Sequence, residues 1–289
     1  MSIGIVGLSP MSVSQYIAQS LVSHYDAPEA QAIARLVLED VLRIPRVQDL
    51  AGTARPLTAQ EKELVGSIVR RLQAGEPIQY ILGAASFRGR QFSVSPAVLI
   101  PRPETEELVG EVVRSVDHDA SLRILDVGTG SGCIAVSLAL ELPHAQVAAL
   151  DVSPAALEVA RRNARRLHAE VRFMEANLLQ ADTMPQGEWH AVVSNPPYVR
   201  RSERDSLSAH VKDHEPALAL FVDDADALCH YRCLAQWARL HLVWGGQLFV
   251  EINSALAEDT LDLFRHAGFG SCALYDDRFG LPRFIHAVL

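Results

Sequence analysis

At 289 residues, 49% of them hydrophobic, the chain can fill one large core and a smaller one, as an ordinary globular protein does. A formal charge of −9 disfavours a broad phosphate footprint, so free nucleic acid is the weaker substrate class. No apolar run reaches membrane-spanning length, Ile3–Leu8 lacks the basic start and cleavage site of a signal peptide, and the expected compartment is the cytoplasm, with no membrane partner.

From Ser12 to about Leu82 the pattern is helical. Val13, Ile17 and Leu21 repeat at i, i+4, i+8; Ala32 and Leu36 with Ile33, Val37 and Leu38 make a broader face; Leu64, Ile68, Val69 and Leu72 make a third. Pro28 and Thr58 stand where helices start and Gly75 where one stops, so residues 1–84 are expected to form a small domain of three or four helices. Two short extended runs flank a glycine in Ala85–Val94, a hairpin signal, and residues 85–100 are expected to link this domain to the next, residues 101–289. Pro101 and Pro103 then stiffen the chain, and Glu104, Glu106 and Glu107 suit the first turn of a helix.

From Ser121 strands and helices alternate, which calls for a mostly parallel sheet covered on both faces. Strands are expected at about 123–127, 147–151, 171–175, 190–194, 247–252, 272–275 and 283–288, and helices at 131–142, 154–168, 228–243 and 256–268. The first strand runs into Gly128-Thr129-Gly130-Ser131-Gly132, three glycines at alternate positions that let backbone pass close to a ligand, and an apolar helix follows with free N–H groups at its start. A small nucleotide-like cofactor suits that corner. Asp151 ends the second strand, where a carboxylate reaches ribose hydroxyls; it could instead cap the helix after Pro154, but Ser153 is available for that. Cys133, Cys229, Cys233 and Cys272 show no CxxC spacing, and the histidines no HExxH, so neither a disulfide framework nor a metal is expected.

The fourth strand ends in Val192-Val193-Ser194-Asn195-Pro196-Pro197-Tyr198. Two consecutive prolines forbid both helix and ladder, so the chain leaves the sheet extended and stiff. The Asn195 side-chain oxygen and the Pro196 carbonyl can each accept from one N–H of an NH2 group, while the Tyr198 ring walls a flat group. A planar amide or an aminated base would fit there; a plain strand-ending turn is the bland alternative.

The glycine pattern after Asp126 is G-x-G-x-G rather than the dinucleotide fingerprint, and with Asn-Pro-Pro-Tyr it resembles the S-adenosylmethionine-dependent methyltransferases that modify planar NH2 groups. GEPIQYILG, FRGRQFSV and VLIPRPETEELV, between Gly75 and Val109, further resemble the protein-(glutamine-N5) methyltransferase family of peptide chain release factors (HemK/PrmC). The resemblance runs over nearly the whole chain. It implies a class I, Rossmann-like α/β methyltransferase with a seven-stranded, mostly parallel sheet. S-adenosylmethionine would lie on Gly128, Thr129, Gly130, Ser131 and Gly132, with Asp151 on the ribose, Asn177 and Leu178 near the adenine, and Asn195 at the border. The substrate would be the glutamine of the release-factor Gly-Gly-Gln loop, a step in translation termination, with its amide on Asn195, Pro196, Pro197 and Tyr198. Asn195, Pro196 and Tyr198 would be the catalytic set, orienting the amide for direct displacement of the methyl group rather than abstracting a proton.

Three departures from the family pattern stand out: Asn177 where an acidic residue is common, Asn253 where a glycine follows Glu-Ile, and Asp224–Leu228 in place of a glycine-containing run. The helical domain is expected to choose the protein substrate, since one glutamine offers little surface for selection, and the enzyme to act as a monomer without direct nucleic-acid contact. Two other functions share these motifs. An adenine-N6 methyltransferase of DNA or RNA poses the same NH2 problem, and a non-catalytic release-factor or ribosome binding protein could retain the fold.

Overall fold

In the computed structural model, which describes residues 10–51, 53 and 55–289, the N-terminal helical pattern resolves into five helices rather than three or four. They are α1 (Pro10–Leu21), α2 (Ala27–Leu36), α3 (Arg46–Leu50), α4 (Ala59–Gln73) and α5 (Ile78–Leu82), with α2 running on into a π turn at Val37–Val41. The Ile3–Leu8 stretch lies outside the described residues. Asp26 caps α2 by accepting from Glu29 N, with Pro28 in its first turn. Thr58 and Glu61 cap α4 reciprocally, and Gly75, at φ 85°, follows its end.

Val13, Ile17 and Leu21 are buried, but two of the large residues read as core are not: Leu36 is 38% and Leu64 45% exposed. Ala34 and Val65 take their places on the buried faces. The stripe follows helical angle, and a small alanine can occupy it while a nearby leucine points out.

The chain divides into two compact units, Met1–Leu82 with Ala209–His214, and Gly83–Ser208 with Glu215–Leu289. The second begins with a hairpin, β1 (Ala84–Phe87) and β2 (Arg90–Ser93), turned by Arg88 and Gly89, both at positive φ. Phe87 and Phe92 are fully buried in this unit's core. Arg88 pairs with both oxygens of Glu141, and Arg90 joins the same carboxylate at 2.9 Å. The hairpin is thus packed into the second unit's core.

Beyond it come α6 (Pro103–Ser115), β3 (Arg123–Val127), α7 (Cys133–Glu141), β4 (Gln146–Asp151), α8 (Pro154–Leu167), β5 (Val171–Glu175), β6 (Trp189–Ser194) and β7 (Val199–Arg200). Then α9 (Ala209–Lys212) joins the first unit, where His210 Nδ1 lies 2.7 Å from Gly75 O and its ring stacks on Tyr25. The chain finishes with α10 (Ala217–Leu220), β8 (Phe221–Val222), α11 (Cys229–His241), β9 (Leu242–Glu251), α12 (Ala257–His266), β10 (Ser271–Asp276) and β11 (Pro282–Val288). The main sheet has seven strands in the order β10-β11-β9-β6-β3-β4-β5; β9, β6, β3, β4 and β5 pair in parallel, and β11 runs against both its neighbours.

Alternate strand residues serve two cores. Leu125, Ala148, Val192 and Leu248 belong to the core that includes Tyr231 and Phe264 of α11 and α12, while Ile124, Val147, Val193 and Phe249 belong to the one that includes α6, α7 and the hairpin phenylalanines. Register then places the strand ends. Val127 lies level with Leu150 and with Ser194, and Ser194 level with Val250, so Gly128, Asp151, Asn195 and Glu251 follow in one row along the sheet's C-terminal edge, beside β3 where the strand order reverses.

Asn163 of α8 ties the hairpin to the glycine turn. It is fully buried, accepts from Ser93 N at 2.7 Å, and donates to Ser93 O at 2.9 Å and Ser131 O at 2.8 Å. Asn163→Ala leaves these buried backbone groups unmet and should cost about 2–4 kcal/mol in urea unfolding; a loss under about 0.5 kcal/mol, the range of a surface change, would show that the three bonds do not brace the fold.

Candidate active site

The turn after β3 is built by a buried carboxylate. Asp126 has no solvent exposure; its Oδ2 accepts from Thr129 Oγ1 at 2.6 Å and Ala135 N at 3.2 Å, while Oδ1 has no hydrogen-bond partner among the described residues. Burial pushes this carboxyl up to about 7, against the pull of those two hydrogen bonds. Gly128 N and Thr129 N both donate to Leu150 O, each at 2.9 Å, which stitches the turn to β4.

The three glycines of the turn serve two purposes. Gly128 and Gly130, at φ 77° and 54°, line a cleft of about 260 Å³, and a Cβ at either would meet nothing within 4 Å. Their bare backbone is the floor on which a ligand can lie closely. Gly132, at φ 81°, is outside the lining; its Cβ would stand 3.1 Å from the Ala160 Cβ, so it is there for the packing of α7 on α8. Asp151 braces the turn, Oδ2 accepting from Gly130 N at 2.8 Å and Oδ1 from Ser153 N at 2.9 Å, and burial raises its carboxyl above the usual range. Ser153, not Asp151, caps α8, accepting from Ala156 N at 3.2 Å. Each Asp151 oxygen keeps a second lone pair for a ligand hydroxyl.

The same cleft is lined by Thr129, Ser131, Asp151, Asn177, Leu178, Asn195, Pro196 and Pro197, so residues far apart in the chain converge on one cavity. Asn177 uses its Oδ1 to accept from Leu179 N at 3.0 Å, a local turn that fixes the side chain. Tyr198 is not in the lining. Its ring packs against the α11 and α12 core and its hydroxyl donates to Glu251 Oε1 at 3.0 Å, because the stiff Pro-Pro step carries the chain past the cleft and turns the ring away from it.

Two side chains to which the motifs assign no role stand next to Asn195: Thr105, within VLIPRPETEELV, which also lines the cleft, and Glu251, which opens the Glu-Ile-Asn run. Asn195 Nδ2 donates to Thr105 Oγ1 at 3.1 Å, and Thr105 donates to Glu251 Oε2 at 2.7 Å. Thr105 is 3% and Glu251 1% exposed. Tyr231 adds a hydroxyl to the Glu251 carbonyl at 3.1 Å. Asn253, where a glycine is common in the family, sits at φ −72° and needs no glycine; it donates to Tyr198 O at 3.2 Å and Glu203 Oε2 at 3.1 Å. In the altered 224–228 run, Asp224 accepts from Ser202 N and Oγ. Cys133 lines the cleft, but burial pushes its thiol up to about 12, which removes it as a nucleophile at neutral pH. No helix among the described residues is long and apolar enough to cross a membrane.

A parallel sheet reversing at β3, a glycine turn braced by a carboxylate on the next strand and an Asn-Pro-Pro exit from β6 together define a class I methyltransferase. Solved structures share the fold: a methyltransferase from Pyrococcus furiosus superposes with a TM-score of 0.53 at 16% identity, over 76% of this chain and 96% of that one. A 16S rRNA methyltransferase from T. thermophilus, in complex with AdoMet and guanosine, does so at 0.52 and 17% identity, over 71% of this chain and 49% of that one. The Methyltransferase small domain family matches residues 110–214, and the PrmC N-terminal domain family residues 13–83. The chain is 42% identical to the release factor glutamine methyltransferase of Bacteroides thetaiotaomicron over 95% of its own length and 98% of the relative's, and 40% identical to that of Flavobacterium psychrophilum over 92% and 94%. With the Coxiella burnetii enzyme it shares 35% over 97% and 99%. The chain belongs to the release factor glutamine methyltransferase family.

The raised Asp126 carboxyl has a consequence for stability. A folded-state value moved from 3.8 to about 7 means that the fold holds a proton the unfolded chain releases, so this contribution is present at low pH and is lost as pH rises from about 4 through 7. Asp126→Asn lacks the proton. Compared by urea unfolding at pH 5 and pH 8, the wild type should lose on the order of a few kcal/mol relative to the variant; a difference that does not change with pH contradicts the assignment.

Proposed function

We propose that the chain transfers a methyl group from S-adenosylmethionine to the side-chain amide nitrogen of the glutamine in the Gly-Gly-Gln motif of peptide chain release factors. What supports this reading most is the level row at the sheet edge, in which the bare Gly128–Gly130 backbone and Asp151 share one cleft with Asn195 and Pro196. The names of the curated relatives point to glutamine rather than to adenine, and a charge of −9 is a poor match to a nucleic-acid backbone.

Bound S-adenosylmethionine supplies a methyl group activated by its positively charged sulfur. Gly128 to Ser131 hold the cofactor, Asp151 accepts from its ribose, and Asn177 and Leu178 border its adenine. On the substrate side, Asn195 Oδ1 and the Pro196 carbonyl each accept one N–H of the glutamine amide. An amide nitrogen is a poor nucleophile because its lone pair is spread into the carbonyl, so fixing both N–H bonds favours the geometry in which that lone pair faces the methyl group. Pro196 and Pro197 have locked φ angles, which holds the acceptors in place before the substrate arrives. A cleft dry enough to exclude water keeps these contacts strong, and no side chain has to take the proton before the nitrogen is alkylated. Tyr198 acts from behind, through its hydroxyl on Glu251. The N-terminal helical unit, residues 1–84 in the sequence reading, selects the protein substrate, and the enzyme works as a monomer in the cytoplasm on protein, without direct nucleic-acid contact.

Two experiments test the reaction and the recognition role in turn. The full chain is incubated with S-adenosylmethionine labelled in the methyl group and an intact release factor, and the modified residue is mapped by mass spectrometry. A single methyl on the glutamine amide is expected; methyl on any other residue, or none, overturns the reading. Replacing the exposed Leu36, Val47 and Leu64 with Glu should raise KM for the intact factor by about tenfold, equivalent to about 1.4 kcal/mol of lost binding, and leave a short Gly-Gly-Gln peptide unaffected. Equal kinetics on the intact factor would remove these three side chains from substrate recognition.

A further inference from the structure

Glu251 is a fully buried carboxyl at the end of β9, in the same row as Asn195, yet the mechanism above gives it no contact with substrate. Its two oxygens take one hydroxyl each, Oε2 from Thr105 at 2.7 Å and Oε1 from Tyr198 at 3.0 Å. Thr105 in turn lies 3.1 Å from the Asn195 side-chain nitrogen. The other charged and titratable groups around Glu251 are Arg283 on β11, Glu104 on α6, Tyr231 on α11 and Cys133 on α7, whose thiol burial keeps protonated. Arg283 has its own partner, with Nε 3.1 Å from Asp277 Oδ2. Hydroxyls therefore make the direct contacts with this carboxylate.

A proton count along this chain fixes the orientation of Asn195. The Thr105 hydroxyl has one proton, and an ionised carboxylate can only accept, so that proton goes to Glu251. Thr105 is then left with lone pairs alone toward Asn195 and must be met by the amide's NH2 end. The carbonyl end, Oδ1, becomes the acceptor that Asn195 offers in the cleft it lines. Were the Asn195 amide inverted, its NH2 would face the NH2 of the glutamine, donor against donor. Asn has no intrinsic preference between these two orientations, since its ends are nearly the same size. The choice is set from behind.

We infer that Glu251 is a positioning residue for methyl transfer, acting through Thr105 to hold Asn195 with its acceptor oxygen toward the glutamine amide. This rests on the glutamine reading of the site. Protonating Glu251 gives the carboxyl a donor of its own; when it is turned on Thr105, the threonine proton is freed for Asn195 Oδ1 and the amide inverts. Burial raises the Glu251 carboxyl, so this loss sets in above the ordinary carboxylate range as pH falls.

The test uses the full chain with an intact release factor at saturating S-adenosylmethionine. Thr105→Val keeps the shape and removes the hydroxyl, and kcat should fall about 10- to 100-fold, the equivalent of one unmet polar contact. KM and cofactor affinity should stay within about threefold, a change of less than 1 kcal/mol. Thr105→Ser restores the hydroxyl and should restore most of kcat. Wild-type kcat should fall on the acid side, and Glu251→Gln, whose side chain does not titrate, should be slow and lack that limb. A Thr105→Val enzyme with at least half the wild-type kcat, or an acid limb that persists in Glu251→Gln, overturns the inference. Should Glu251→Gln fail to fold, judged by thermal unfolding, the Thr105 pair decides alone. A wild type that methylates no glutamine fails the reading of the site; a wild type that does, matched by Thr105→Val, fails only this inference.

Discussion

The structure depends on a strand that is not allowed to continue. After Ser194 the prolines at 196 and 197 have no N–H to give a ladder and cannot enter a helix, so β6 stops level with the end of β3 and one residue short of the ends of β4 and β9. Ser194 seals the end by donating its hydroxyl to Val127 O at 2.7 Å. Everything chemical in the second unit sits in the row beyond that line. A strand one residue longer would send the Asn195 side chain to the opposite face of the sheet, since side chains alternate.

Two buried carboxyls support the row from either side, and they do so differently. Asp126 holds the glycine turn with one oxygen and leaves the other without a protein partner, an arrangement suited to carrying a proton near neutral pH. Glu251 uses both oxygens as acceptors, which suits the ionised form and lets it dictate the direction of two hydroxyls. Buried polar groups of this kind are costly unless fully met. Here the cost is offset by fixing geometry at a site where a displacement of about 1 Å lowers the rate by orders of magnitude.

Much of this was legible in the sequence for local reasons. Short apolar runs alternating with helical stretches located all seven strands of the main sheet, and alternate glycines with Asp151 located the cleft. Where the reading differs, a particular residue explains it. β9 begins at Leu242 rather than near 247: Gly245 N donates to Leu289 O and Leu289 N to Gly246 O, so the ladder runs through the two glycines. α7 starts at Cys133 rather than 131, since Gly132 remains in a left-handed turn. Tyr198 falls outside the cleft because its hydroxyl has a partner elsewhere. Thr105 and Glu251 lie 146 positions apart, and no local pattern could pair them; only the register of β9 against β6, with α6 laid across the edge, brings them together.

The central claim is that the Asn195 oxygen orients the substrate amide. Its most direct test is the single-turnover rate of Asn195→Ala on an intact release factor, with cofactor affinity measured on the same preparation. The rate should fall at least about 10- to 100-fold for one lost acceptor, with misorientation adding to it, while S-adenosylmethionine still binds. A near-normal rate with normal binding would contradict the account.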